Sequence, residues 1–197
     1  MTVSIGLLCG TPAQAALTLI SPGDPGVFQL GNSLYTIVPG PSWLNAEAQS
    51  QLLGAVGTEI AGHLVTINSQ EENDFIYANF QNNYQWIGFT DQAVEGDWVW
   101  SSGQLVTYTN WNAGEPNNGF ITPPQNYGAI VSSLGGKWDD GFSSVQVNGI
   151  AEIPYDGKTS PNGVPGPLPI AGFGAMLGFS RKLKARIEKQ RMATYNA

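Results

Sequence analysis

Two irregular stretches constrain this chain more than any periodic segment does. The first is Thr109-Asn110-Trp111-Asn112-Ala113-Gly114-Glu115-Pro116-Asn117-Asn118-Gly119, answered further on by Gly135-Gly136-Lys137-Trp138-Asp139-Asp140-Gly141. Glycine, proline and asparagine dominate both, which is loop chemistry. Each also sets oxygen-bearing side chains beside a tryptophan: a carboxylate and a carboxamide flank Pro116, and two carboxylates follow Trp138. Hard cations such as Ca²⁺ take six to eight oxygens from carboxylates, amides and carbonyls on an adaptable frame. Two such loops can build that cage. They can equally be solvated turns, because Asp, Asn, Gly and Pro are what any surface turn prefers.

Charge narrows the partners. The chain of 197 residues has a formal net charge of −7, which hides a sharp asymmetry. Ala16 to Ser180 holds fourteen acids against Lys137 and Lys158, whereas Arg181, Lys182, Lys184, Arg186, Lys189 and Arg191 crowd the end beside Glu188. An acidic body repels phosphate backbones, so no nucleic-acid partner is expected, while cations and neutral polyols remain compatible with it. The single cysteine, Cys9, lies outside that body, which therefore cannot be a disulfide scaffold.

Both ends read as processing or targeting segments. Residues 1–15 join a short apolar run, Val3 to Cys9, to Ala13-Gln14-Ala15, a small-x-small match to signal-peptidase sites, although no Lys or Arg precedes the run. Residues 155–163 are a Gly/Pro/Ser/Thr linker. Residues 164–197 form an apolar run to Phe179 and then the basic cluster. That run is short for a span but suits a transient membrane contact with the bases in the cytoplasm. The body, 16–154, is the expected domain.

Within it the pattern is α+β. Ala16–Ile20 and Leu34–Val38 read as strands. Ser42 caps a helix running to Leu53 with Trp43, Leu44, Ala48 and Leu52 as its apolar face. Ser69 and Glu72 form a capping box for a second helix that buries Phe75, Ile76 and Phe80. Strands are expected at His63–Ile67, Tyr84–Phe89, Trp98–Trp100, Leu105–Tyr108, Tyr127–Val131 and Val147–Ile153. His63 reads as a satisfied, partly buried histidine. Four tryptophans (43, 86, 98 and 100) fall on core elements, while Trp111 and Trp138 fix the loops.

From Ser33 to Ile153 the order of residues resembles that of C-type lectin-like domains. The helix pair is followed by Trp86-Ile87-Gly88-Phe89, similar to the WIGL strand. Asn110-Trp111 and Glu115-Pro116-Asn117, an EPN triplet, come next, and Trp138-Asp139-Asp140 stands in place of WND. The resemblance implies two helices packed on small antiparallel sheets with a long ligand loop. It also implies a Ca²⁺ site of Glu115, Asn117, Gln125, Asp139 and Asp140, a cis peptide before Pro116, and sugar contacts from Glu115, Asn117 and Asp139. The EPN form goes with mannose- and glucose-type sugars. Gln125 stands where the family has glutamate and Asp139 where it has asparagine, so the cage keeps three carboxylates. Tyr127 and Ala151 occupy positions where the family often has cysteine.

The tail, Pro165-Gly166-Pro167-Leu168-Pro169 through Ser180-Arg181-Lys182-Leu183-Lys184, resembles a PEP-CTERM-type bacterial sorting signal that lacks the glutamate. It implies export from a Gram-negative cell, to the envelope or to an exopolysaccharide matrix. The function implied is calcium-dependent glycan binding. The alternative is a calcium-independent scaffold for protein or surface interaction. No enzymatic activity is expected: Glu115 with Asp139 or Asp140 is the one pairing with acid–base potential, and no paired histidine or body thiol supports a nucleophile.

Overall fold

The structure is a computed structural model that describes residues 16–58, 60–119 and 123–157. The leader, the apolar run and the basic tail lie outside those residues. So do most of the linker and the segment 120–122.

Ten strands and two helices are present among the described residues: β1 (Thr18–Ile20), β2 (Phe28–Leu30), β3 (Ser33–Val38), α1 (Trp43–Ser50), β4 (Leu53–Ala55), β5 (His63–Leu64), α2 (Gln70–Asn79), β6 (Tyr84–Thr90), β7 (Val99–Trp100), β8 (Tyr127–Val131), β9 (Lys137–Gly141) and β10 (Gly149–Pro154). The main sheet runs β2-β3-β10-β6-β8-β9, with β5 on β10 and β7 on β6; β1 and β4 form a separate parallel pair. β10 is the central rail. It pairs antiparallel with β3 over six residues and meets β6 in parallel at Gly149 and Trp86. The α+β expectation holds, with two helices on small sheets.

Both helix caps form as the sequence predicts. Ser42 accepts from Asn45 N, and Ser69 accepts from Glu72 N. Glu72 Oε2 in turn accepts from Asn68 N (2.7 Å), one residue before the cap. The extent and face of α1 differ from expectation, however. The helix stops at Ser50, and Leu53 opens β4, which pairs with β1. Its buried positions are Trp43, Ala46, Glu47 and Ser50, whereas Leu44 and Leu52 are 48% and 40% exposed. Glu47 takes the inward place because its carboxylate is satisfied there. Oε2 accepts from Leu64 N (2.9 Å) and Ser101 Oγ (3.1 Å), and Oε1 accepts from Gln51 Nε2 (2.9 Å). A buried carboxylate with three donors is tolerated where an unpaired one is not.

The expected strand at Leu105–Tyr108 does not form, and Leu105 is 65% exposed. The segment is instead held by Asn68, whose backbone oxygen and Oδ1 accept from Thr107 Oγ1 and N. The expected strand from His63 to Ile67 shortens to His63–Leu64, with His63 half-buried and its Nδ1 2.8 Å from Leu64 O.

Two hydrophobic clusters sit on opposite faces of the sheet. One gathers Trp43, Trp86, Leu34, Leu64 and Tyr127; the other gathers Phe89, Trp100, Trp138, Ile76 and Phe80. The second is strongly aromatic. Phe89 stacks on Trp100 at 4.3 Å between centroids and on Trp111 at 5.7 Å, and Trp138 meets Phe89, Trp100, Tyr108 and Trp111 edge-on. Trp111 and Trp138 therefore root both irregular stretches in the core.

Candidate functional site

The second irregular stretch is not a loop. Lys137–Gly141 is β9, paired with β8 so that Gly128 stands opposite Asp140 and Ala129 opposite Asp139. Its backbone also holds the start of the long loop. Trp138 N donates to Asn110 O (2.9 Å), and Asn112 N donates to Trp138 O (2.8 Å). Buried side chains reinforce this seam. Asn73 Nδ2 and Asn110 Nδ2 both donate to Gly136 O, and Trp138 Nε1 donates to Asn73 Oδ1 (2.8 Å). Asn110 stands in the Asn110-Trp111 pair already legible in the sequence, whereas Asn73, among Glu71, Glu72 and Asp74, carries no signal there.

From that seam the chain turns back over β9. Glu115 N donates to Asn112 O, the Glu115–Pro116 peptide is cis as the resemblance implies, and Asn118 adopts a left-handed φ of 56°. Asparagine tolerates that region because its short side chain bonds locally. Successive amides of the loop then grip Asp140: Asn117 N donates to its Oδ1 (3.1 Å) and Asn118 N to its Oδ2 (2.7 Å). Such paired N–H groups form a small anion-binding nest.

The result is a tight acidic cluster. Glu115, Asp139 and Asp140 each offer a carboxylate oxygen within 4.8 Å of one another, with Asp140 buried and the other two half-buried. Among the described residues no cationic side chain neutralises them. Lys137, the sole Lys or Arg among the described residues, donates through Nζ to Asn110 Oδ1 (2.6 Å). Glu115 Oε2 is buried and has no hydrogen-bond partner among the described residues. Of the five residues predicted as ligands, the structure thus brings three carboxylates together. Asn117 flanks them, its Oδ1 accepting from Gly119 N (2.7 Å). Gln125 lies at their edge, with Nε2 donating to Asp140 O (3.1 Å) and its backbone N donating to Asn118 Oδ1 (2.8 Å).

Like charges this close resist ionisation. Burial, the neighbouring Asp140 carboxyl and the charges of Asp139 and Asp140 push Glu115 up to about 7. Burial and then Asp140 raise Asp139 as well. Away from the cluster, burial lifts Asp91 to about 6. Each of these groups binds protons more tightly folded than unfolded, so the metal-free protein gains stability below the ordinary carboxylate range and loses it as pH rises through about 7. In EDTA, the melting temperature is therefore expected to fall between pH 5 and pH 8. A melting temperature that stays flat or rises over that interval contradicts this cluster.

The donors fit calcium. They are all oxygens, three are carboxylates, and one buried oxygen lacks any partner, which is what a hard cation requires and what an uncompensated buried carboxylate does not tolerate.

Residues 58–150 match the family model of the lectin C-type domain. The fold is the C-type lectin-like one. Among curated relatives, the low affinity immunoglobulin epsilon Fc receptor of Mus musculus is 41% identical over 85 residues, 43% of this chain and 24% of that protein. Lectin BRA-3 of Megabalanus rosa is 36% identical over 96 residues, 48% of this chain and 57% of that protein. The matches thus span a quarter to somewhat over half of these relatives' lengths. Among solved structures, the cow C-type carbohydrate-recognition domain of CD23, in the presence of a GlcNAc2Man3 oligosaccharide, superposes with a TM-score of 0.56. It is 26% identical, covering 66% of this chain and 94% of that one.

Proposed function

We propose that the domain is a calcium-dependent carbohydrate-binding module for mannose- and glucose-type sugars. The observation that carries this reading is the convergence of Glu115, Asp139 and Asp140 around the orphaned Glu115 Oε2. The likeness to relatives named as lectins, and to a recognition domain studied with a mannose-containing oligosaccharide, supports the sugar class. When bound there, calcium supplies a hard centre whose open coordination positions accept two vicinal hydroxyls.

The chain's own residues orient those hydroxyls. Glu115 accepts from one hydroxyl. Asn117, whose Oδ1 is held by Gly119 N, donates through Nδ2 to the other. Asp139 adds a further acceptor beside Glu115. This acceptor–donor pairing discriminates between hydroxyl geometries, and it is what Glu115→Gln and Asn117→Asp alter. Either change lowers retention on a mannose resin in calcium by at least tenfold and shifts preference toward galactose. If both variants bind mannose as the unaltered protein does, the sugar site is not here.

A single site of this kind is weak, and clustering on a surface strengthens it by avidity. That fits a protein exported and held at the cell envelope or in an exopolysaccharide matrix through residues 164–197. A second reading, a calcium-independent scaffold, is favoured by one observation: both Asp140 oxygens and the Gln125 amide already have protein partners.

A further inference from the structure

The loop that carries Glu115 has an unusual number of ties that need no ion. Four of its backbone amides donate to side chains: Asn117 and Asn118 to Asp140, Gly119 to Asn117, and Gln125 to Asn118. The Gln125 side chain closes this circuit by donating to the backbone oxygen of Asp140, the same residue whose carboxylate grips the other arm. Its Oε1 lies flat against Gly119: a Cβ at that glycine, whose φ is +59°, would stand 2.7 Å from the Oε1 atom. Gly119 thus leaves room for the amide, and a carboxylate at position 125 could not donate to the Asp140 oxygen at all.

We propose that Gln125 is a positioning residue, a strap that holds the site loop closed over β9 in the metal-free protein. Donation from Nε2 to Asp140 ties the arm entering β8 to the strand that bears the acidic pair. Donation from Gln125 N to Asn118 ties it to the arm that bears Glu115 and Asn117. The acidic cluster is therefore preorganised before any cation arrives. Cation binding does not have to order the loop, and the conformational entropy of closure is already spent. This role rests on the reading of Glu115, Asp139 and Asp140 as a cation site only in its consequence, not in its geometry.

The test is residue-resolved amide exchange of the full chain, in EDTA and in calcium, for the unaltered protein, Gln125→Ala and Gln125→Glu. In EDTA, the Asn117 and Asn118 amides of the unaltered protein are protected, and both variants lose that protection by at least fivefold. The β8–β9 ladder amides stay unchanged, which separates strap loss from general unfolding. Calcium then restores protection in the variants but adds little to the unaltered protein. Equal protection at Asn117 and Asn118 in all three proteins in EDTA overturns the strap. Loss in EDTA with no restoration by calcium leaves the strap standing and overturns the cation site.

Discussion

Calcium at a hundredfold excess over its dissociation constant is expected to raise the melting temperature of this protein by roughly 5–10 °C, and Asp140→Ala to erase the rise. The expected size follows from linkage. Ligand at that excess adds about 2.7 kcal/mol to the folded state, and for a domain of this size each kcal/mol moves the midpoint by about 2–4 °C. Asp140 is chosen because it is buried and joins three functions in one residue, two of them in its side chain. It belongs to the carboxylate cluster, it accepts the Asn117 and Asn118 amides, and its backbone oxygen receives Gln125. Removing it takes one of three charges from the site and releases the loop that carries a second.

The metal-free variant also loses about 1.5–3 kcal/mol for each of two charge-assisted backbone bonds, partly offset by relieved repulsion at Glu115. Asp140→Asn separates the two effects. It keeps the volume and one acceptor oxygen, so in EDTA it loses one of the two amide bonds rather than both and melts between the unaltered protein and Asp140→Ala, while the calcium response is lost. A full calcium response in Asp140→Asn would move the site elsewhere.

The candidate site was more legible in the sequence than the scaffold that supports it. Glu115, Asn117, Asp139 and Asp140 stand out because their side chains carry the chemistry and each pair flanks or follows a distinctive residue. What the sequence hid was tertiary. Lys137–Gly141 has no β-branched residue and two adjacent acids, so it does not read as a strand on its own. Pairing with β8 makes it one. Leu105–Tyr108 has the β-branched pattern but no partner, since the β6 edge beyond Phe89 is taken by β7. β-Propensity measures fit to a half-buried pleated surface, and without a surface it decides nothing.

The α1 face was misread for a related reason. Apolar spacing pointed to Trp43, Leu44, Ala48 and Leu52; Trp43 is buried as expected, but three hydrogen bonds at Glu47 outweigh the burial of two leucines and rotate the rest of the face outward. The orientation of Gln125 was invisible for a third reason. Whether an amide offers its oxygen to an ion or its nitrogen to a carbonyl depends on the loop around it, not on its place in a motif.

Trp138→Ala is expected to be the costliest single change near the site, lowering stability by about 3–5 kcal/mol and the melting temperature by roughly 10–15 °C. Trp138 is fully buried, with aromatic neighbours at Phe89, Trp100, Tyr108 and Trp111. Truncation leaves a cavity among rigid rings that cannot collapse to fill it. The damage does not stop at packing. The Trp138 backbone pairs with Asn110 and Asn112, and the next two residues are the acidic pair, so loosening this position shifts Glu115 relative to Asp139 and Asp140. Calcium affinity is therefore expected to fall together with stability.

Trp138→Phe discriminates between the two contributions. It keeps most of the ring contacts but removes the Nε1 donor, leaving Asn73 Oδ1 unpaired in a buried position at a cost of about 1–3 kcal/mol. If Trp138→Phe melts where the unaltered protein does, the Asn73 bond contributes nothing and the seam rests on packing alone. If it melts lower yet keeps its calcium affinity, the rings place the acidic strand and the hydrogen bond only stabilises it. Loss of both assigns the placement of Asp139 and Asp140 to the bond between α2 and β9, which makes a helix on the far side of the aromatic cluster part of the site.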